Sequence, residues 1–414
     1  MKIFNTIKND LLHYGKLYAI ILSIILISDD CYWFSTATNP LLISFKYAFL
    51  VVLPIWLYFS LGRPKINILE ILFMSALFCL SAAFGDASLI GGPATLFFLL
   101  LSSSILVRTV RLQIFARAFI KIVSVMMLYS LCIWIALMTD IMSYKEVDNV
   151  IGATIKTAGF CTFFNDNVGL FLRNGCFFRE PGVFMVFINI AFILDALFLK
   201  NNIGLNKLVL YAVCMLTTLS TAGVIIMFGV FILYLQGQAK NYKSLIVSAL
   251  FFMLCIYLLV GSEELMNNVF GKLEHGMSSN SVVGRITSLT IPAAIILNNP
   301  LLGVGAARFR SEYISFGREM YHMHIDPQGL STNTILNAGA VYGLWFTLFI
   351  IIGFFKFSKT LSSSKFTLTI GVFLLFMMLF SNESMFYSMI VYILIFYGRN
   401  FGKTRGLNSQ YSNC

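Results

Sequence analysis

Apolar runs of roughly 17–22 residues, separated by short polar breaks, recur along most of the chain, and a helix needs about 20 residues to cross a bilayer. The short alternating segments of a membrane β-barrel are absent. The breaks delimit candidate spans at 11–28, 41–60, 68–84, 94–107, 120–139, 182–199, 207–220, 221–236, 244–260, 333–355, 366–380 and 384–398. The expected fold is all-α, a polytopic membrane protein of about 12 transmembrane helices, with residues 1–414 as a single transmembrane domain. No small-residue cleavage site follows the first run, so 11–28 is expected to remain as a span. Two stretches are too polar to span: a smaller loop at 141–181 and a large loop at 261–332. Residues 208–236 are apolar almost throughout and read as one tilted helix or as two short ones meeting at Ser220-Thr221-Ala222-Gly223.

Composition agrees with the pattern. The chain is 58% hydrophobic and 11% charged, with mean hydropathy +0.85, whereas a soluble chain carries about 25% charged residues. The formal charge of +11 suggests nucleic acid until the charges are placed, and their placement argues against it. Most basic residues fall in short loops on the side of the termini, among them Lys8, Lys16, Arg63, Lys65, Arg108, Arg111, Lys200, Lys207, Lys240, Lys356 and Arg399. The remainder, Lys46 apart, lie in the two long loops. By the positive-inside rule both termini are cytoplasmic and both long loops lie outside. A single helix over 208–236 would reverse that side for everything downstream, so the charges favour two. The eight cysteines show no metal-ligand spacing, and Cys161 and Cys176, in one loop, suit a disulfide if that loop is outside.

The large loop concentrates the ionisable chemistry, with three of the four histidines, His275, His322 and His324. Within it, 286–297 is apolar but too short to span, and Asn298-Asn299-Pro300 ends it; a helix at the membrane surface or packed on the bundle is expected. Gly303-Val304-Gly305 then turns into Arg308 and Arg310. Together with Arg285, and with Arg179 and Glu180 at the end of the smaller loop, these form the first candidate group. Guanidinium is permanently charged and grips phosphate oxygens through a bidentate fork. The bland alternative pairs each arginine with Glu180, Glu312 or Glu319, or with lipid headgroups. The second group is His322-Met323-His324-Ile325-Asp326, where a histidine suits a general base toward a hydroxyl; a metal run and a solvated pair are the alternatives. Asp29-Asp30 form a third, either an acceptor-activating pair or a polar helix end. No span carries a central acid of the kind that couples transport to protons or sodium.

Three stretches carry a resemblance. Phe178-Arg179-Glu180-Pro181-Gly182-Val183-Phe184 resembles an Arg-Glu/Ser-Pro-x-x-Phe segment before a span. Gly284-Arg285 followed by Asn299-Pro300-Leu301-Leu302-Gly303-Val304-Gly305 and Phe309 resembles a "GR … NPLLGxG … F" loop. His324 through Asn333, with Asn337-Ala338-Gly339-Ala340-Val341-Tyr342-Gly343, resembles "H … N … L … G … G" at the start of the next helix. All three belong to the O-antigen and capsular polysaccharide polymerase family (Wzy type), within the O-antigen polymerase/ligase superfamily. Leu219-Ser220-Thr221-Ala222-Gly223 is similar to a weaker "LSRxG" element, with Thr221 where arginine is common.

The resemblance implies a metal-independent glycosyltransferase, without cofactor, at the outer face of a bacterial inner membrane. Its donor would be a growing glycan on undecaprenyl diphosphate and its acceptor a lipid-linked repeat unit. Arg179, Glu180, Arg285, Arg308 and Arg310 would bind diphosphate and glycan, and His324, or failing that His322, would be the catalytic base. A chain-length regulator and a flippase are the protein partners implied. The alternatives are a ligase of the same superfamily and, from another class, a flippase or exporter of the lipid-linked unit, which needs polar spans rather than polar loops. A topology reporter fused near Asn280 is expected to respond as an extracytoplasmic segment; a cytoplasmic response would remove the basis for every role given to the large loop.

Overall fold

A computed structural model describes residues 15–28, 30–35, 40–65, 72–76, 79, 91–148, 154–165, 172–199, 203–237, 280–327, 331–362 and 365–408. The candidate span 244–260, most of 68–84 and the first part of the large loop, with His275, lie outside the described residues. Among the described residues, five helices are long and apolar enough to cross a membrane, and further apolar helices are shorter. The protein is an all-α polytopic membrane protein.

The order is α1 (Gly15–Leu26), then α2 (Tyr32–Ser35), α3 (Pro40–Ser60), α4 (Gly91–Thr109) and α5 (Leu112–Met138). The central helix, α6 (Pro181–Ile193), is buried at every position, and α5, α7 (Leu205–Thr217), α8 (Thr221–Gly237) and α13 (Phe366–Asn382) all contact it. Its sequence, PGVFMVFINIAFI, is apolar all round, as a helix without a solvent face requires. A π-helical turn, Leu194–Phe198, continues it and carries Asp195, which is wholly buried. Lys207 Nζ pairs with Asp195 Oδ2 at 2.5 Å, and Tyr211 OH donates to the same oxygen at 3.3 Å.

The apolar run 208–236 is two helices. They part at Thr218-Leu219-Ser220, where Leu219 takes φ 49° and Ser220 Oγ accepts from Gly223 N at 3.3 Å. α7 starts beside Asp195 and finishes where Arg173 Nε donates to Thr218 O at 3.2 Å. α8 returns along α6, with Gly223 against Met185 and Asn189 Nδ2 donating to Gly223 O at 3.3 Å. A small residue at the crossing brings the two backbones close.

The expected surface helix at 286–297 is longer, α9 (Asn280–Asn298), and it ends where the Asn-Asn-Pro stop predicts. The glycine turn then opens a helix that the pattern did not predict, α10 (Gly305–Tyr321). Its Tyr313, with Val304 and Ile325, packs on Ile291, Ile295 and Ala340. The expected single span 333–355 is broken at Gly343 into α11 (Thr334–Tyr342) and α12 (Leu344–Leu361). The break is where the α9–α10 turn docks: Leu344 N donates to Pro300 O at 2.8 Å and Val304 N to Ala340 O at 2.9 Å. Gly343 adopts φ 89°, and a Cβ there would overlap Leu301 O, so any other residue would be strained and obstructed. α13 and α14 (Met389–Asn408) complete the bundle, with Phe354 stacked on Phe376 and Phe380 at 5.7 and 4.8 Å.

The smaller loop, read from sequence without strands, is a four-stranded antiparallel meander: β1 (Lys145–Asp148), β2 (Thr154–Ala158), β3 (Cys161–Asn165) and β4 (Leu172–Cys176). Trp134 Nε1 donates to Leu172 O at 2.6 Å, and Asn174 Nδ2 donates to Ser130 Oγ and Thr217 Oγ1, each at 3.2 Å. These bonds seat the sheet on α5 and α7. Cys161 and Cys176 are buried free thiols in hydrogen-bonding contact.

The Lys207–Asp195 pair is asymmetric, because the lysine side chain is 38% exposed and the aspartate 0%. Removing the lysine strands a buried charge, whereas neutralising the aspartate leaves a lysine that water can solvate. Lys207→Ala is therefore expected to destabilise the protein by about 3 kcal/mol and Asp195→Asn by less, read as thermal unfolding in detergent. The opposite order would show that the pair is not what keeps Asp195 buried.

Candidate functional site

The sheet-bearing end of α6 gathers charges from separate parts of the chain. The segment from β4 into the helix supplies Arg173, Arg179 and Glu180. Its backbone is fixed by a short bridge between Cys31 and Phe178 and by Arg179 N donating to Asp30 O at 2.9 Å. The Arg179 guanidinium is spread between two acceptors, Nη1 on Glu180 Oε1 at 3.0 Å and Nη2 on Ser384 O at 2.6 Å. Glu180 occupies the N-cap position of α6, yet its side chain makes no capping bond.

Glu383 closes the junction from the far end of the sequence. It ends α13, and its backbone is clamped by Thr334, whose hydroxyl donates to Glu383 O at 2.5 Å and accepts from Met385 N at 2.7 Å. The carboxyl rests directly on Gly182, where a Cβ would overlap both carboxyl oxygens and the carboxyl carbon or crowd them. Burial pushes this carboxyl up to about 8, and the neighbouring Glu180 charge adds to that. Arg179, Arg173 and Arg285 pull it back down. Desolvation and a like charge disfavour the ionised acid, while the cations favour it. Arg285 is carried by α9 and is exposed; its charge is the smallest of the influences on Glu383.

Asp30 lies beneath the same junction, buried at 3% exposure. Ser388 Oγ donates to its carboxylate, and Asp30 N donates to Ser28 Oγ at 3.2 Å. The small cavity it borders is otherwise lined by Ile21, Ile24, Phe115, Phe119 and Phe187, with Ser388. Asp29, the other acid of the pair, lies outside the described residues.

The other sequence candidates sit on α10 and the turn after it. Arg308 and Arg310 are both exposed. Arg310 is engaged by Asp326, with Nη2 at 2.5 Å and Nε at 3.2 Å from Oδ2, not by the glutamates proposed as its partners. Asp326 therefore holds an arginine. His322 caps α10 in the left-handed region at φ 56° and is exposed. His324 is exposed, with Nδ1 3.2 Å from Arg318 Nη2. A guanidinium nitrogen only donates, so Nδ1 accepts and the neutral ring carries its proton on Nε2.

The structure thus brings Arg179 and Glu180 to one junction with Glu383, and places Arg285 on α9 and Arg308, Arg310, His322 and His324 on α10 and its cap. Two members of the junction were passed over in the sequence. Glu383 lies in a short loop without basic residues, a pattern that carries topology and no chemistry. Arg173 lies six residues before Arg179 in the segment leading to α6. In the structure its Nε donates to Thr218 O in the turn between α7 and α8.

No curated protein matches the chain. Residues 208–352 match a family model described as O-Antigen ligase; the matched region covers α7 to the first half of α12 and contains Arg285, His324 and the docked turn, while Arg179 and Glu383 flank it. This match is consistent with the O-antigen polymerase/ligase superfamily that the motifs at 178–184, 284–309 and 324–343 resemble.

Proposed function

We propose that the protein polymerises undecaprenyl-diphosphate-linked oligosaccharide repeat units into O-antigen or capsular polysaccharide, at the periplasmic face of a bacterial inner membrane. The observation that carries this reading is Arg179, fixed before the start of α6 between Glu180 Oε1 at 3.0 Å and Ser384 O at 2.6 Å, beside Glu383. A lipid-linked diphosphate has its chain in the bilayer and its charge at the edge, and cations fixed at the mouth of a buried helix suit that shape. Arg179 is held by two acceptors before any substrate arrives, so little ordering is required of it. The arginines neutralise charge as it develops on the departing diphosphate. The amide groups opening α6 add a positive dipole end at the same place.

His324 takes the proton of the acceptor hydroxyl through Nδ1, once that hydroxyl displaces the Arg318 contact; His322 is the substitute. The acceptor oxygen then bonds to the anomeric carbon as the bond to the diphosphate breaks. Arg308 and Arg310 face the glycan from α10. A second reading, transfer of finished glycan to lipid A core, is favoured by the description of the matching family, O-Antigen ligase. Deletion separates the two. Surface glycan reduced to single repeats supports polymerisation, unattached long glycan supports ligation, and loss of outer-face lipid-linked units would point instead to a flippase.

Arg285→Lys keeps the charge and loses the fork; it is expected to remove most long-chain glycan, and full activity would make Arg285 a solvated surface residue. His324→Ala is expected to abolish long chains at unchanged membrane abundance, and a normal chain-length ladder would sink the base assignment.

A further inference from the structure

The junction holds two carboxyl groups where a dianionic ligand is proposed to bind, and their surroundings differ. Glu180 is half-exposed and already paired with Arg179 at 3.0 Å. Glu383 lies on the Gly182 backbone with its own main chain held by Thr334. Ionised, it would occupy the field meant for the diphosphate and repel it. Neutral, it offers an O–H to a phosphate oxygen. A carboxyl held neutral by its surroundings can serve as a hydrogen-bond donor.

We propose that Glu383 binds the lipid-linked diphosphate as a neutral carboxylic acid, donating a hydrogen bond to a phosphate oxygen beside the guanidinium groups of Arg179 and Arg285. This rests on the function proposed above and adds a ligand-binding residue to it. The charged groups that reach Glu383 are Arg173 from β4, Arg179 and Glu180 before α6, and Arg285 from α9; α11 presents the Thr334 hydroxyl. The arginines do not titrate in the working range. With the carboxyl pushed up to about 8, the neutral form dominates below that pH and is lost as pH rises through it. Diphosphate binding therefore weakens on the alkaline side, and the bound anion holds the proton more tightly than the empty site does.

The test uses the full chain purified in detergent and a short-chain prenyl diphosphosugar, whose diphosphate stays fully ionised throughout. Affinity is expected to fall about tenfold between about pH 7 and about pH 9, by the loss of the binding-competent form. Glu383→Gln, a permanent neutral mimic, is expected to bind about as well as the wild type at the lower pH and to lose the pH dependence. Glu180→Gln removes the neighbouring negative charge and is expected to move the wild-type transition to lower pH, a shift that a merely structural carboxyl would not give. A flat wild-type profile overturns the proposal, as does a Glu383→Gln protein that melts normally but binds weakly at both pH values, or a transition unmoved by Glu180→Gln. A wild-type protein that fails to bind the diphosphosugar at any pH overturns this proposal together with the function on which it rests.

Discussion

A helix buried along its whole length begins with amide groups that have no intrahelical acceptor and no access to bulk water. At the start of α6 a carboxyl from another part of the chain lies against the backbone. Glu383 lies on Gly182, Arg179 ties Glu180 to Ser384, and Thr334 holds the turn that carries both Glu383 and Met385. Those contacts join β4, α6, α11 and α13 at one point. Arg179 thus stands where a half-buried acid meets the start of a buried helix.

How much of this was legible follows from the range of each signal. The spans were legible because hydropathy over about 20 residues is a strong local signal. The reversal at 218–220 was legible through Ser-Thr-Ala-Gly and the placement of Lys240 and Lys243. Glu383 was not, since a single acid between two spans looks the same whether it faces water or a neighbouring helix start. The break at Gly343 was hidden for a related reason. Its cause is the Pro300–Val304 turn docking from elsewhere, and an apolar helix containing one glycine reads as continuous. The meander at 145–176 escaped because its strands are four or five residues long and their polar faces hide the alternation.

The arginines illustrate how a charge pattern divides once folded. As a set in the sequence, Arg179, Arg285, Arg308 and Arg310 suggested one phosphate grip. In the fold, Arg179 and Arg285 act on a common carboxyl, while Arg310 is committed to Asp326 and Arg318 faces His324. The latter contacts organise α10 and its cap. They give that helix a fixed cationic face, and a surface pair of this kind adds little stability of its own.

The turn docked at Gly343 bears on how motion reaches the candidate site. Val304 and Leu344 donate their amides across the α9–α10 turn and the α11–α12 break, and the two segments share those bonds as strands do in a ladder. α10 is thereby geared to a membrane helix instead of hanging from a flexible loop. A tilt of α12 carries the arginine face of α10 with it, and amide exchange at Val304 and Leu344 reports the opening of that coupling, not the fraying of a surface helix.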